Sequence, residues 1–541
     1  MVGSGRFVVA AWLIAGLTLA SRVLGLVREV VFSYYFSTSE LLSAFRIAFQ
    51  APNLARRLFG EGALSSAMIP VLTESLASRG EEASRRFVGT VLTVLMVVLG
   101  LAVVVVEVGI GVWRAVADDP ALRLTGFLMP YMALICTAAV ASGVLNVRRH
   151  FAVPAAAPTI LNIAMVAAMG LGAVVMGLER EAMMDLVCVS VLVAGVIQLI
   201  LTGVALRWVS FFPIFEGALR RSGTWREPHL RRVLVLMAPM ALGLSAVQIN
   251  TLTDTIIAYL FIIEDGERVG PAVLGYAQFL YQLPLGVFGI SIATAIFPVL
   301  AAKAAEGDRT GMAEVFERGV RLSLFIALPA AVGLIFVAEP LVATLYQRGA
   351  FDASDTRRVA GTLLFYSLGI PAYFTQHIVV RTYYALHNSK TPAKVALWMV
   401  ALNLAMNLSL VFVLQERGLA LATSVCAILQ VVWLLVRLRR EFPDIRWGRL
   451  GSNLSWTALA AGVMGLALAI LTGPTALGDL LGANQRLHRA PAVRLLLLVA
   501  IGVGVYVLAA WVAHRFSGGG VEELSTVLGR TGHRRRSGDP P

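Results

Sequence analysis

The sequence has 541 residues, of which 58% are apolar and only 14% are charged, whereas a soluble protein carries roughly 25% charged residues. This composition excludes a soluble enzyme and predicts an all-α polytopic membrane protein. The net charge of +13 would suggest nucleic acid as the partner of a soluble chain, but the arginines fall mainly in short loops between apolar runs, where positively charged cytoplasmic loops explain them.

Apolar stretches long enough to cross a hydrocarbon core of about 30 Å predict about 14 transmembrane helices. They run approximately over 7–36, 40–73, 87–114, 123–147, 152–177, 183–207, 230–262, 270–301, 318–346, 359–386, 392–414, 419–437, 451–472 and 491–514. We group them into an N-terminal six-span half at 1–208, a cytoplasmic linker at 209–229, a C-terminal six-span half at 230–438, two additional spans within 439–515, and a cytoplasmic, disordered tail at 516–541.

Two further patterns concern topology. Lys and Arg are concentrated in alternate loops, among them 74–86, 207–232 and 437–449, which predicts a cytoplasmic (inner) membrane protein with both termini in the cytoplasm. MPYMAL at 129–134 is echoed by IPAYFT at 370–375. Repeated halves are typical of transporters that rock around a central site.

Sequence motifs for enzymatic chemistry are missing. Cys136, Cys188 and Cys426 lie singly in apolar runs, and the sequence has neither an HExxH motif nor a Walker-type phosphate loop. No loop between the predicted spans exceeds about 25 residues, so no domain for catalysis lies outside the membrane. We therefore expect a transporter without a cofactor, other than a coupling cation such as sodium or a proton.

The stretch from Ser21 to Glu74 concentrates charge within the first two predicted spans. Its charged residues include Arg22, Arg28, Glu29, Arg46, Arg56, Arg57 and Glu61. Ionisable side chains at bilayer depth are costly and usually face a protein interior or a water-filled cavity. Because the planar guanidinium binds two oxygens at once and keeps its charge, several such arginines predict a cavity for a pyrophosphate-bearing substrate.

Helical spacing refines this prediction. Arg22 and Glu29 share one face of the first span, being about 340° apart. The second span carries a polar stripe, in which Arg57 and Glu61 are spaced as an ion pair; it consists of Ser43, Arg46, Gln50, Asn53, Arg57, Glu61 and Ser65. Pro52 and Pro70 predict bends. The alternatives are arginines that snorkel to the membrane interface and an amphipathic second helix lying on it.

A second set of polar residues lies later in the chain. Asp254 is in the middle of the seventh span, Asn403 and Asn407 are four residues apart in the eleventh, and Thr423 is early in the twelfth. Their oxygens suit a small cation. Hydrogen bonding between buried polar residues of neighbouring helices is the alternative.

Several segments resemble the lipid II flippase family MurJ (also called MviN), within the multidrug/oligosaccharidyl-lipid/polysaccharide exporter superfamily. The segments are SRVLGLVRE at 21–29, AFRIAFQAPNLARRLFGEGALSSAMIPVLTE at 44–74, YQLPLGVFGISIATAIFPVL at 281–300, LYQRGAF at 345–351 and RTYYALHNSKTPAKVAL at 381–397. The resemblance implies a flippase that moves lipid-linked peptidoglycan precursor, lipid II, to the outer leaflet by alternating access for cell wall synthesis.

The resemblance also implies residue roles. Arg22, Arg28 and Arg56 match the family's cavity arginines, and Asn53 and Glu61 match its motif. The implied sodium site comprises Asp254, Asn403, Asn407, Leu419 through its backbone, and Thr423. The last two spans are expected to line a groove for the prenyl tail.

Two positions depart from the family pattern. Ser43 replaces an acidic residue, and Phe279 replaces an arginine of the eighth span. Either three arginines suffice, or Arg46 or Gln278 substitutes for the missing one.

The expected partners are lipid II and membrane lipids, not nucleic acid, with the protein acting as a monomer associated with the cell wall synthesis machinery. The nearest alternative is an exporter of another lipid-linked oligosaccharide or of drugs, although a drug exporter should lack the arginine pair of the first span. A membrane-embedded glycosyltransferase or polymerase would need a catalytic carboxylate in a sizeable outer loop. A scaffold of the division machinery would not need buried arginines.

Overall fold

The computed structural model describes residues 4–60, 63–114, 118–215, 228–473 and 491–516. It is 89% helical, which confirms the all-α prediction. The strands that it describes form one short hairpin, in which β1 (Ile263–Glu264) pairs antiparallel with β2 (Glu267–Arg268).

The chain forms two compact units. The first runs to Ala272 and includes Arg348–Asp352, and the second comprises Val273–Gln347 and the described residues from Ala353 onward. The sequence analysis assigns residues 230–438 to the second half, whereas the structure groups the helix at 228–261 with the first unit. The boundaries of the two predicted six-span halves stay a prediction.

The part of the first unit that the structure describes is built from seven helices and the hairpin. The helices are α1 (Ser4–Phe36), α2 (Glu40–Ala55), α3 (Ala63–Arg114), α4 (Pro120–Val147), α5 (Ala152–Gly170), α6 (Arg180–Trp208) and α7 (Pro228–Phe261). Two of these helices are each followed by a π-helical turn. Arg56–Gly60 follows α2, and Leu171–Val175 follows α5.

Within its described residues, the second unit has eight helices. They are α8 (Gly270–Pro284), α9 (Ile290–Ala305), α10 (Arg309–Tyr346), α11 (Ala353–Leu368), α12 (Ile370–Ala385), α13 (Lys390–Glu441), α14 (Trp447–Thr472) and α15 (Pro491–Phe516). The π-helical turn Leu285–Gly289 joins α8 to α9. Both α14 and α15 pack on α10, where the Tyr506 hydroxyl donates to the Phe325 carbonyl at 2.7 Å.

Within the described residues, nine helices are long and apolar enough to cross a membrane, or ten if the bent pair α11 and α12 forms one span. The 52 residues of α3 and of α13 would each extend roughly 80 Å if straight, far beyond a bilayer. Each contains a break instead, at Gly80 (φ 80°) and Gln415 (φ 51°). The number of fourteen crossings stays a prediction.

Apolar side chains cover the outside of the second part of α3. Leu101, Val104, Val108 and Val112 are each between 58% and 69% exposed. A soluble monomer rarely exposes so continuous an apolar surface. The protein is therefore a multi-pass membrane protein, and this surface faces lipid.

The second predicted span is irregular in the structure. Pro52 lies inside α2, and the α-helix gives way at Arg56 to the π-helical turn, whereas Pro70 lies within α3. Proline has no N–H to donate, so the helix is weakened around it. The irregular turn changes the direction of the side chains that follow Pro52, including Arg56 and Arg57.

The segment Arg348–Asp352 joins the first unit through α1. The Ala350 N–H donates to the Tyr34 carbonyl at 2.8 Å. Gly349 has φ +62°, and a Cβ there would lie 2.4 Å from the Tyr34 oxygen. Only glycine fits so close an approach in this backbone conformation, which explains the glycine in LYQRGAF.

Candidate functional site

Glu29 is the centre of a charged cluster formed by α1 and α2. Arg28 Nη2 donates to Glu29 Oε1 at 2.6 Å, and Arg46 Nη2 donates to Glu29 Oε2 at 2.7 Å. Glu29 is only 3% exposed. Two guanidinium groups thus share one buried carboxylate, which leaves the cluster with an excess of positive charge.

Asn162 on α5 fixes the orientation of Arg28. Arg28 Nη1 donates to Asn162 Oδ1 at 2.9 Å, while Asn162 Nδ2 donates to the Ser21 carbonyl at 3.2 Å. The amide therefore connects α5 both to the backbone of α1 and to its arginine. Sequence reasoning missed this role, because only the packing of α5 on α1 brings Asn162 to Arg28.

Arg22 lies on the same helix, six residues before Arg28. Its side chain is half-buried, and among the described residues it has neither a hydrogen-bond nor an ion-pair partner. Glu29, which shares a face of α1 with Arg22, is engaged by Arg28 and Arg46 instead. The described part of the chain therefore does not use the guanidinium donors of Arg22.

Arg56 and Asn53 lie next to each other where α2 ends. Arg56 Nε and Nη2 approach Asn53 Oδ1 at 3.3 and 3.0 Å. The next arginine points elsewhere, because Arg57 Nη1 donates to Gln248 Oε1 of α7 at 3.1 Å. Glu61 lies outside the described residues, so its predicted pairing with Arg57 stays a prediction.

The two positions at which the resemblance implies charged residues, Ser43 and Phe279, carry none here. Ser43 is fully buried, and its hydroxyl accepts the Ala272 N–H at 3.2 Å. Phe279 is half-buried. Gln278 Nε2 donates to the Tyr366 hydroxyl at 3.0 Å, and Arg46 is held by Glu29. Both proposed substitutes for the missing arginine are thus engaged by protein groups.

The predicted cation ligands belong to both units, and each set is described by itself. In the first unit, Asp254 is 3% exposed, and Asn250 Nδ2 donates to its Oδ2 at 3.4 Å. In the second, Asn407 Nδ2 donates to Asn403 Oδ1 at 2.8 Å. One carboxylate with amide oxygens is a donor set suited to a small monovalent cation.

The other predicted cation ligands lie on the second part of α13, where Thr423 Oγ1 donates to the Leu419 carbonyl at 3.0 Å. The described residues contain no group of three or more acidic, His or Cys side chains that could hold a metal ion. Assembly of the five ligands into one site stays a prediction.

A second charged cluster of the first unit surrounds Asp119, the N-cap of α4. Its carboxylate accepts the Ala121 N–H at 2.8 Å and the Tyr259 hydroxyl at 2.6 Å, and it pairs with Arg268 of the hairpin. Partial burial alone would raise the pKa of Asp119, but the hydrogen bonds from Tyr259, Ala121 and Arg268 together hold this pKa below its usual value. The sequence analysis did not identify this cluster.

Comparison with known proteins places the chain in a family. The family model described as lipid II flippase MurJ matches residues 32–481. A protein named probable lipid II flippase MurJ from Rhizobium tropici is 32% identical over 514 residues, with 92% of each chain covered. The lipid II flippase MurJ of Burkholderia cenocepacia is 32% identical over 468 residues, covering 83% of this chain and 88% of its own.

Solved structures agree with this assignment. A structure of lipid II flippase MurJ in an inward closed conformation matches with a TM-score of 0.76 and 25% identity, covering 93% of this chain and 99% of its own. An inward-facing multidrug resistance transporter of the MATE family matches with a TM-score of 0.62 and 14% identity, covering 80% of this chain and 98% of its own. The second likeness concerns the fold alone. The chain belongs to the MurJ family of lipid II flippases.

Proposed function

We infer that this protein is a lipid II flippase, a transporter that moves the lipid-linked peptidoglycan precursor across the cytoplasmic membrane for cell wall synthesis. Family membership over residues 32–481 carries this inference. The chemistry of the first unit agrees with it, because a lipid pyrophosphate needs several cationic donors and two arginines, Arg28 and Arg46, lie around one carboxylate there.

We propose that Arg22, Arg28 and Arg56 contact the pyrophosphate. Arg28 is oriented by Asn162 and Glu29, so less side-chain entropy is lost when it binds. Arg22 has no competing partner among the described residues. Asn53 positions Arg56, and Asn53 and Glu61 complete the proposed substrate-binding set. Each charged hydrogen bond contributes about 1.5–3 kcal/mol.

Glu29 has a second role in this proposal. Its carboxylate holds Arg28 and Arg46 when no substrate is present, and it competes with phosphate for the same guanidinium donors. This competition limits the affinity for the anion. A transporter must also release its substrate, so a site with a resident carboxylate avoids trapping the head group.

We propose that the chain crosses the membrane fourteen times, with both termini in the cytoplasm, and that its two repeated halves rock to alternate access. The prenyl tail stays in lipid along α14 and α15, which pack on α10. Because one chain carries both repeats, the protein works as a monomer, associated with the cell wall synthesis machinery.

We further propose that a cation resets the cycle through Asp254, Asn403, Asn407, Leu419 and Thr423. The carboxylate and amide oxygens of Asp254, Asn403 and Asn407 support this role, because small hard cations prefer oxygen ligands. Sodium and a proton are the two candidate ions.

Export of another lipid-linked oligosaccharide or of drugs is the alternative within the superfamily. The fold similarity to a MATE transporter is compatible with it. The arginine cluster argues against a drug site, because multiple guanidinium groups favour an anionic head group over a cationic or apolar drug.

The proposal is tested in cells depleted of the native protein and supplied with variants. We expect Arg22→Ala/Arg28→Ala to abolish growth and exposure of lipid II on the outer leaflet. Arg318→Ala, which removes an exposed arginine of α10, should restore both. Normal growth and lipid II exposure with the double variant, present at wild-type levels, would contradict the proposed role of the arginines.

A further inference from the structure

Glu107 is an acidic residue within the apolar outer surface of α3. It belongs to the run LAVVVVEVGIGVW at 101–113, in which Val104, Val105 and Val108 are each between 58% and 63% exposed. These valines are part of the surface of α3 that faces lipid. An ionised carboxylate is costly in hydrocarbon, so an acidic residue at this position indicates a functional group.

The carboxyl group of Glu107 packs against the neighbouring helix at Gly126. A Cβ atom at Gly126 would lie 3.3 Å from Glu107 Oε2, so the carboxyl group lies directly on the backbone of α4. Glu107 Oε1 is shielded from solvent, while the side chain as a whole is half-buried. The carboxyl group therefore lies at the edge of the contact between α3 and α4, with lipid on its other side.

Within the described chain, no group neutralises this carboxyl group. Glu107 has neither a hydrogen-bond nor an ion-pair partner there. Arg123, one turn before Gly126 on α4, pairs with Glu181 and Asp185 instead. The titratable and charged groups on the elements packed against α3 are Asp119, Arg123 and Cys136 of α4 and its N-cap, Arg56 and Arg57 of the π-helical turn, and His229, Arg231, Arg232, Asp254 and Tyr259 of α7.

Water is nearest to Glu107 at the C-terminal end of α3. Glu107 lies seven residues, about 10 Å along the helix, before Arg114, the last residue of α3. Trp113 is 64% exposed, as is typical of tryptophan at the interface between lipid and water. Side chains on a helix lean towards its N-terminus, so Glu107 leans away from this interface. In the proposed topology, this end of α3 is on the outer side of the membrane.

We propose that Glu107 is a proton-binding site on the lipid face of the first unit. The carboxyl group is protonated while it packs on Gly126, because the neutral acid avoids the cost of a charge in hydrocarbon. A metal cation would need several oxygen ligands, whereas a proton needs one carboxyl group.

Loss of the proton has a structural consequence. The ionised carboxylate is drawn towards the water at the end of α3, which changes the contact of α3 with α4 at Gly126. A proton taken up from the outer solution restores this contact, so external pH selects between the two arrangements. Through this site, external pH acts on lipid II translocation. This last step rests on the proposed function.

Labelling with dicyclohexylcarbodiimide tests the protonated state in the full-length protein in phosphatidylcholine nanodiscs. The carboxyl oxygen of a protonated acid bonds to the central carbon of this apolar reagent and the proton moves to a nitrogen. Transfer of the acyl group to nitrogen then gives a stable N-acylurea that retains every atom. We expect labelling of Glu107 to be at least about threefold lower at about pH 9 than at about pH 6. Peptide mass spectrometry locates the adduct, which Glu107→Gln should lose.

A water-soluble carbodiimide with an added amine is the control for solvent access. It should modify Glu179, an exposed residue directly before α6, and leave Glu107 unmodified. Three results would each overturn the proton site: no labelling of Glu107 by the apolar reagent, labelling that is independent of pH, or modification by the water-soluble reagent to the extent seen at Glu179.

Lipid II translocation in liposomes tests the consequence for transport. We expect the wild type to be about fivefold slower at an external pH of about 9 than at about 6, a typical coupling between two sites. Glu107→Gln, which stays neutral, should lose most of this difference, and Glu179→Gln should respond as the wild type does. Thermal unfolding checks the fold of each variant.

Equal responses to external pH by the wild type and Glu107→Gln would overturn the link between the proton site and transport. A wild type that did not translocate lipid II at either pH would contradict the proposed function, whereas the labelling result decides the proton site independently of it.

Discussion

Two charged clusters of the first unit differ in their balance of charge. Around Glu29, two arginines share one buried carboxylate. Around Arg268, one arginine lies between two carboxylates, Asp119 and Glu40, and over the ring of Tyr259. The first cluster places two guanidinium groups on one carboxylate, whereas the second places two carboxylates around one guanidinium. In our proposal the first arrangement receives an anion and the second stabilises the fold.

Among the changes that test these two clusters, removal of Glu29 should have the largest effect on stability and on lipid II binding. Glu29→Gln leaves Arg28 and Arg46 without their shared charge, and breaking a buried ion pair costs about 3–5 kcal/mol of folding stability. In the fraction of the variant that folds, no carboxylate competes with the phosphate for the arginines. We therefore expect this fraction to bind lipid II more tightly and to translocate it more slowly. Nanodisc binding and single-turnover translocation measure the two effects. Weaker lipid II binding would show that Glu29 does not compete with the substrate.

Asn162 should have a smaller effect on transport. Asn162→Leu removes the amide that orients Arg28, and we expect translocation to fall about threefold to tenfold. Asn453→Leu is the matched control, because it replaces a buried asparagine of α14 remote in sequence from the cluster. Equal loss of translocation in both variants would mean that Asn162 supports only the fold.

Asp119 should affect stability rather than transport. Its hydrogen bonds keep its pKa below the unfolded value of about 3.9, so its contribution to stability is present above that pH and is lost as the pH falls through the lower folded-state pKa. We expect Asp119→Asn to unfold at a lower temperature than the wild type at neutral pH, and the difference to shrink in acid.

Thermal unfolding of both proteins between pH 3 and pH 7 checks the Asp119 prediction. Lipid II translocation at neutral pH should stay close to wild type in Asp119→Asn protein that is folded. A constant difference in unfolding temperature across this pH range would contradict the assigned role of the carboxylate.

The sequence predicted the class of protein, because the length of apolar runs is a local property of the chain. It did not predict the partners. Arg22 and Glu29 share a helix face, yet Glu29 contacts Arg28 and Arg46, since the packing of α1 against α2 decides which guanidinium reaches the carboxylate. The contact of Asn162 with Arg28 depends on α5 lying beside α1.

The Asp119 cluster was missed for the same reason. It joins the start of α4 to the end of α7 and to the hairpin, which both lie about 140 residues later in the chain. Periodicity reports which residues share one helix face, but it carries no information about contacts between distant loops. Whether the predicted cation ligands meet also depends on contacts between distant segments, because these ligands come from two units.

Translocation of lipid II by purified protein in liposomes tests the central claim most directly. The comparison uses the wild type, Arg22→Ala/Arg28→Ala and Asp119→Asn, each shown by thermal unfolding to be folded at the assay temperature. We predict that the arginine double variant loses translocation while Asp119→Asn retains it. Translocation at the wild-type rate by the arginine double variant would contradict an anion site at the first two helices.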